Sequence, residues 1–282
     1  MRLPMRQTTP TLYHEKAVTV PKIFDCCLLF QELDILETRF HILNDVVDHF
    51  VVCESAETHS GRPKPYHLSE NWSRFSEWHD KIIYIQVADL THRYGLADRN
   101  SWERERYQRF HLRYGLKDAA PNDYVIVADC DEIPRPEAIQ FISGLNYEGA
   151  ILEMDMYYYD LNHRVHQGWS IGMCKRKTFD DPNDFRTANG RMFPHFEDSG
   201  WHFSYFGGAQ SIVQKVSSFM HHADPVIRDM PRNADWVAQK VAKNEDLFDR
   251  GGMKIEKVPI TPSLPRYILD NLDHYRELGW LE

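Results

Sequence analysis

Three carboxylates stand within four residues of the segment YVIVADCDEIP: Asp129, Asp131 and Glu132 follow the apolar run Tyr124 to Ala128 and precede Pro134. Carboxylates just past a buried strand lose water, which is costly unless a cation or hydrogen-bond donors compensate them. Alternation along an extended chain directs Asp129 and Asp131 to one side. Hard oxygen ligands in that position suit Mg²⁺ or Mn²⁺, whose remaining coordination sites accept diphosphate oxygens. Such a cation neutralises charge developing on a departing nucleotide. In a chain with 42 Asp and Glu residues an isolated Asp-x-Asp triplet is usually a solvated turn. The strand ahead of it is what favours a metal site here.

Other segments carry weaker signals. FVVCESAETHSGRPKP places Glu54, Ser55, Thr58, Gly61 and Lys64 after a second apolar run, where they could meet a nucleotide or form an ordinary polar loop. It lacks the phosphate-loop pattern GxxxxGK[ST]. SWERERYQRF puts Arg104, Arg106 and Arg109 on one helix ahead of the acidic strand, and arginine suits bidentate phosphate contacts. Helical spacing keeps all three from facing one way, and Glu103 and Glu105 are equally good partners for them. GWHFSYFGG offers His202 as a ligand, rings that could stack on a sugar, and glycines that let a ligand approach. His195, His221 and His222 compete with His202 for a ligand role. No HExxH pair supports zinc hydrolysis.

These residues need elements to position them. Ile23 to Phe30 is a short apolar run suited to a buried parallel strand. Leu33, Leu36, Phe40, Leu43 and Val47 then recur at helical spacing amid Glu32, Asp34, Glu37 and Arg39, predicting a helix with one buried face. Strand candidates at His49 to Cys53, Lys81 to Val87 and Tyr124 to Ala128, with a helix over Trp102 to Arg113, continue a βα series. Such a series predicts an α/β fold: a mostly parallel central sheet flanked by helices, with ligands beyond the carboxyl ends of the strands. A short helix over Glu137 to Ile142 and a strand over Ala150 to Tyr159 follow, then an irregular stretch through about Gly208. Trp236 to Phe248 reads as a helix, while Pro259, Pro262 and Pro265 argue against regular structure near the C-terminus. Residues 1–20 read as a flexible arm, 21–262 as a single catalytic domain, and 263–282 as a tail or short helix.

An apolar share of 42% and an aromatic share of 13% describe a globular chain of 282 residues. A net charge of −9 argues against a nucleic-acid partner, whose nonspecific affinity comes from Lys and Arg. Five cysteines without CxxC spacing read as reduced core thiols. No apolar run reaches the ~20 residues of a membrane span, and no signal-peptide pattern opens the chain, so a cytoplasmic location is expected.

Taken in order, QELDILETRFHILNDVVDHFVVCES, THSGRPKP, DCDEIP, GWH and the later Lys215 with His221 make the chain resemble glycosyltransferase family 17 over about Lys22 to His222. That resemblance implies a GT-A-type nucleotide-sugar-binding fold, a UDP-GlcNAc-like donor, a divalent metal and inversion to a β-linkage. It implies metal roles for Asp129 and Asp131, with His202 as a metal or diphosphate ligand, and donor-side roles for Glu54, Thr58, Lys64 and Asp129. The animal members are membrane-anchored, and this chain shows no anchor, so its glycan or glycoconjugate acceptor need not be an N-glycan. Inversion needs a carboxylate to take the acceptor proton. Glu153 and Asp155 are the favoured candidates, with Glu132 and Asp198 also near proposed strand ends. A sugar nucleotidyltransferase and a noncatalytic glycan-binding protein, using rings such as Trp169, Trp201 and Tyr157, are the competing readings.

Overall fold

The computed structural model describes residues 20–90, 101–187, 193–218, 231 and 233–281. The expected N-terminal arm, together with His221 and His222, lies outside these residues. Among the described residues, strands β1 (Ile23–Leu29), β2 (His49–Ser55), β3 (Ile82–Val87) and β4 (Tyr124–Asp129) form a parallel half-sheet in the order β3-β2-β1-β4. Helix α1 (Leu33–Leu43) joins β1 to β2 and buries Ile35, Leu36, Phe40 and Leu43 at helical spacing. It stops before Val47, which remains buried in the following turn.

The sheet continues through β4 into a mixed half built from β5 (Glu132–Pro134), β6 (Gly149–Tyr158), β7 (His163–Lys175), β8 (His195–Phe196) and β9 (Gly200–Ser204). The order runs β4-β7-β6-β9-β5, with β7 antiparallel to both β4 and β6, β9 parallel to β6, and β5 antiparallel to β9. A short strand β10 (Ile255–Lys257) extends β7. Helices α2 (His67–Glu70), α3 (Ser101–Phe110), α4 (Pro136–Gly144), α5 (Pro182–Thr187), α6 (Gly208–Ser218), α7 (Ala234–Ala242), α8 (Arg266–Asp270) and α9 (Leu272–Glu277) accompany the strands. This is an α/β architecture of the GT-A type, with a curled mixed sheet flanked by helices.

Strand alternation divides the core between the two faces of the sheet. Ile23, Cys27 and Leu29 of β1 join Tyr124, Ile126 and Ala128 of β4 against α1, in a cluster that also holds Phe40, Phe75, Trp78 and Trp280. Phe24, Cys26 and Leu28 face the other way with Val125, Val127, Leu112, Phe179 and Phe185. All five cysteines are buried and free. No described helix is long and apolar enough to cross a membrane.

Several elements differ from the sequence expectation, each for a physical reason. Pro134 is the last residue of β5, which is the last strand in the sheet order, where an edge position tolerates a missing N–H. The stretch expected to be irregular through about Gly208 holds β7, α5, β8 and β9. β7 reads HRVHQGWSIGMCK, where polar residues and two glycines hide the alternation that its neighbours β4 and β6 enforce. Gly207 and Gly208 adopt φ of +100° and +78°. They turn the chain from β9 into α6, a backbone role rather than the expected close approach to a ligand. α7 ends at Ala242, before Asn244 takes φ +53°, and Leu247 and Phe248 pack from a loop. Regular structure is absent between Pro259 and Pro265, as expected, and resumes at α8 with Pro265 as its N-cap.

Gly172 in β7 admits the ring of Phe185 from α5, the residue before Arg186; a Cβ at Gly172 would lie 2.6 Å from that ring. Gly172→Ala should therefore cost about 1–3 kcal/mol through overpacking. In urea unfolding the midpoint should fall while the slope stays constant.

Candidate active site

A cavity of about 970 Å³ opens at the carboxyl ends of β1 and β4. Its wall contains Leu28 and Leu29 from β1, Glu57 to His59 after β2, and Asp129 to Glu132 after β4. This is the position at which open α/β sheets bind ligands.

The acidic turn is shaped from beneath by a buried ion pair. Asp25 replaces an apolar residue on the α1-facing side of β1, and Arg39 does the same on the buried face of α1; they are 1% and 0% exposed. Arg39 Nε donates to Asp25 Oδ2 at 2.7 Å and Nη2 to Oδ1 at 2.5 Å. Its Nη1 then reaches the carbonyls of Asp129 at 3.2 Å, Cys130 at 3.3 Å and Glu132 at 2.6 Å. Burial disfavours the charge on Arg39, but the Asp25 carboxylate more than offsets this and raises its pKa. The turn is closed from inside by Glu132, wholly buried, whose Oε2 accepts the Asp129 N–H at 2.7 Å. Glu132 Oε1 accepts from Trp169 Nε1 at 2.6 Å and from Arg186.

Asp129 and Asp131 thus reach one cavity through a tight turn at Cys130 and Asp131, not through the strand alternation expected of them. Asp129 accepts from Arg109 at 2.9 Å and Arg186 at 3.3 Å and keeps 35% of its side-chain surface open. Burial pushes its carboxyl up, but Arg186 and Arg109 outweigh that and hold it well below the usual carboxylate range. Asp131 accepts from Lys215 of α6 at 2.8 Å, and Lys215 also pairs with Glu32 at 3.0 Å. Burial works against the Lys215 ammonium, yet Asp131 and Glu32 keep its pKa well above normal. Burial likewise opposes the charge on Glu32, while Lys215 holds its carboxyl low. His202 stands opposite Glu132 in the β5/β9 ladder, its Nε2 3.7 Å from Asp131 Oδ1 and its buried Nδ1 without a hydrogen-bond partner.

Among the described residues no three His, Cys, Asp or Glu side chains converge as a ready-made metal cage. Asp131 and His202 approach each other closely enough to share one cation, whereas both oxygens of Asp129 face guanidinium groups.

Thr58 and Lys64 line the same cavity, while Glu54 lies behind it. Glu54 is wholly buried and accepts from Lys64 Nζ at 2.7 Å, the His67 and Leu68 amides and the Tyr84 hydroxyl at 2.6 Å. It therefore organises the loop that presents Lys64. The helical arginines separate: Arg109 meets Asp129, Arg106 lines the cavity, and Arg104 donates to the His59 carbonyl. Glu153 and Asp155 do not line this cavity. They lie in an adjoining groove that shares Gly168, Trp169 and Ser170 with it. Glu153 pairs with His195 at 2.8 Å, and Asp155 with Arg164 at 2.5 Å.

Sequence reasoning missed Asp25, Arg39 and Arg186. Arg39 had a readable signal, since it lies four residues after Ile35 and four before Leu43 on the apolar face of α1. Asp25 is likewise the single charge in an otherwise apolar strand. Arg186 had none, because its helix packs through tertiary contacts.

An α/β sheet that gathers acidic and basic side chains around a cavity at its strand ends has the architecture of a GT-A-type domain. A family model described as glycosyltransferase family 17 matches residues 10–278, and the chain belongs to that family. It is 26% identical over 306 residues to the β-1,4-mannosyl-glycoprotein 4-β-N-acetylglucosaminyltransferase of Rattus norvegicus, covering 91% of this chain and 54% of the relative. The protein of the same name from Homo sapiens is 26% identical over 296 residues, covering 88% and 53% respectively. The chain thus spans about half the length of the curated relatives it matches.

Arg39→Met should cost about 3–5 kcal/mol, because it strands the Asp25 charge in the core. Replacing both partners, Asp25→Leu with Arg39→Met, should recover most of that stability. Amide hydrogen exchange over residues 129–132 should nevertheless stay faster than in the natural chain, since the turn's carbonyls have lost their donor.

Proposed function

We propose that this chain is a metal-dependent, inverting glycosyltransferase that moves GlcNAc from a UDP-sugar to a hydroxyl of a glycan acceptor, forming a β-linkage. The observation that carries this reading is the meeting of Asp129 and Asp131 with buried Arg109 and partly buried Arg186 and Lys215, all protonated, in one cavity at the strand ends. The names of the relatives support the sugar, and the cationic wall supports a diphosphate-bearing donor.

The residues fit a hard divalent cation, Mn²⁺ or Mg²⁺. Asp131 and His202 supply oxygen and nitrogen donors 3.7 Å apart, and such ions are commonly held by one or two protein groups with substrate phosphates completing the shell. When bound, the cation would act as a Lewis acid on the diphosphate.

The chain's own groups do the rest. Arg109, Arg186 and Lys215 carry permanent charge, fixed in place before the donor arrives, and preorganised charge of this kind stabilises a leaving diphosphate at little reorganisation cost. Thr58, Lys64 and Asp129 take the donor side, with Glu54 acting through Lys64. The acceptor hydroxyl attacks the anomeric carbon from the face opposite the diphosphate. The bond from that carbon to the diphosphate oxygen breaks, and its electron pair leaves with the nucleotide. The acceptor proton passes to a carboxylate, for which Asp155 and Glu153 are the candidates, in the groove that shares Gly168–Ser170 with the cavity.

UDP release from a panel of UDP-sugars with Mn²⁺, Mg²⁺ or EDTA tests this directly. One donor should turn over, with GlcNAc preferred, and EDTA should abolish release. Release of pyrophosphate from a nucleoside triphosphate would point to a nucleotidyltransferase, and no turnover of any donor or triphosphate to a glycan-binding protein. Asp131→Asn should lower kcat/KM by about 10²–10³-fold, the scale of losing one fixed transition-state contact. Whichever of Asp155→Asn and Glu153→Gln removes the base should cut kcat for transfer by about 10²–10⁴-fold, as expected for a general base. The other should act chiefly on acceptor KM.

A further inference from the structure

We infer that the groove beside the catalytic cavity is an acceptor subsite selective for neutral glycans. The inference rests on the glycosyltransferase reading and adds the chemical class of the acceptor. The groove has a volume of about 580 Å³, within the range of small-molecule clefts, and shares the wall Gly168–Ser170 with the main cavity. Trp169 forms part of that wall, and its Nε1 is spent on Glu132 on the catalytic side. A sugar ring lying against an indole gains apolar contact, while its hydroxyls need acceptors around the edge.

The groove supplies those acceptors. Glu153, Asp155, Glu197 and Asp198 line it together with Arg164 and Ser263. Asp155 is held by Arg164 at 2.5 Å and lies 3.7 Å from Arg135, which also fixes Asp198 at 2.5 Å. Arg135 in turn stacks 4.1 Å above the Trp201 ring. Carboxylates held this way keep lone pairs available and lose little rotamer freedom when a hydroxyl binds. Four carboxylates against the guanidinium groups of Arg164 and Arg135 also leave the wall negative, so a phosphorylated or uronic-acid glycan meets repulsion that a neutral one does not.

The subsite tests the acceptor independently of donor chemistry. Glu197 is exposed, so Glu197→Lys leaves the fold intact, and Asp198→Asn keeps a residue tolerant of its φ of +50°. Each variant is compared with the natural chain for the KM of a neutral oligosaccharide acceptor, for the KM of its monophosphorylated counterpart, and for the Kd of UDP. Glu197→Lys should narrow the preference for the neutral acceptor by about tenfold, the effect of about 1.4 kcal/mol, and leave the Kd of UDP within about twofold. Asp198→Asn should raise the KM for the neutral acceptor. Discrimination and acceptor KM that match the natural chain in both variants would overturn the subsite. Neutral oligosaccharide that shifts NMR signals of groove residues, in a chain that releases UDP from no donor, would uphold the subsite and sink the transferase reading instead.

Discussion

The Asp25–Arg39 pair is the constraint on which the site depends. Two charges in an apolar layer are expensive, and their attraction compensates only when every donor and acceptor is placed. Arg39 meets that demand with a planar fork: two nitrogens grip Asp25 and the third reaches the carbonyls of the acidic turn. Desolvation cost thereby becomes positional information, because the pair is satisfied only when β1, α1 and the turn after β4 are all in register. Lysine, a flexible point charge, could not serve the same three directions.

Above that pair the cavity is an alternation of charges. Arg109 and Arg186 flank Asp129, and Lys215 bridges Asp131 and Glu32. Their mutual effects lower the carboxyls of Asp129 and Glu32 and raise the cations, so the charge pattern persists across the neutral pH range. The parts come from separated stretches of chain. Arg109 arrives on α3, Arg186 on α5 and Lys215 on α6, so the electrostatics are a property of the assembled fold and not of any one motif.

The parallel half of the sheet was legible because β1, β2 and β4 are buried on both faces and all four strands read as apolar runs, with α1 visible between them. The acidic turn was legible for the same reason: carboxylates abruptly ending such a run need an explanation. The mixed half was not, since β7 carries exposed polar residues on much of its length and is defined by its partners. Of the site residues, Thr58 and Lys64 were correctly brought near the cavity from their place after β2, whereas the burial of Glu54 behind it depends on Tyr84 and α2, which spacing cannot reveal. Glu153 and Asp155, expected near a strand end, lie in the interior of β6 beside a separate groove, a division of space that is a tertiary fact.

The two spaces on either side of Trp169 differ in how they are built. The main cavity is walled by strand ends whose register is shared with the whole sheet. The groove borrows Glu197 and Asp198 from the turn between β8 and β9, and Ser263 from the proline-punctuated stretch before α8. Substitutions in the first wall disturb the core, while those in the second fall on exposed chain that little else needs. Such an arrangement lets the lining of the groove change without a change in the walls of the cavity, which share their register with the core.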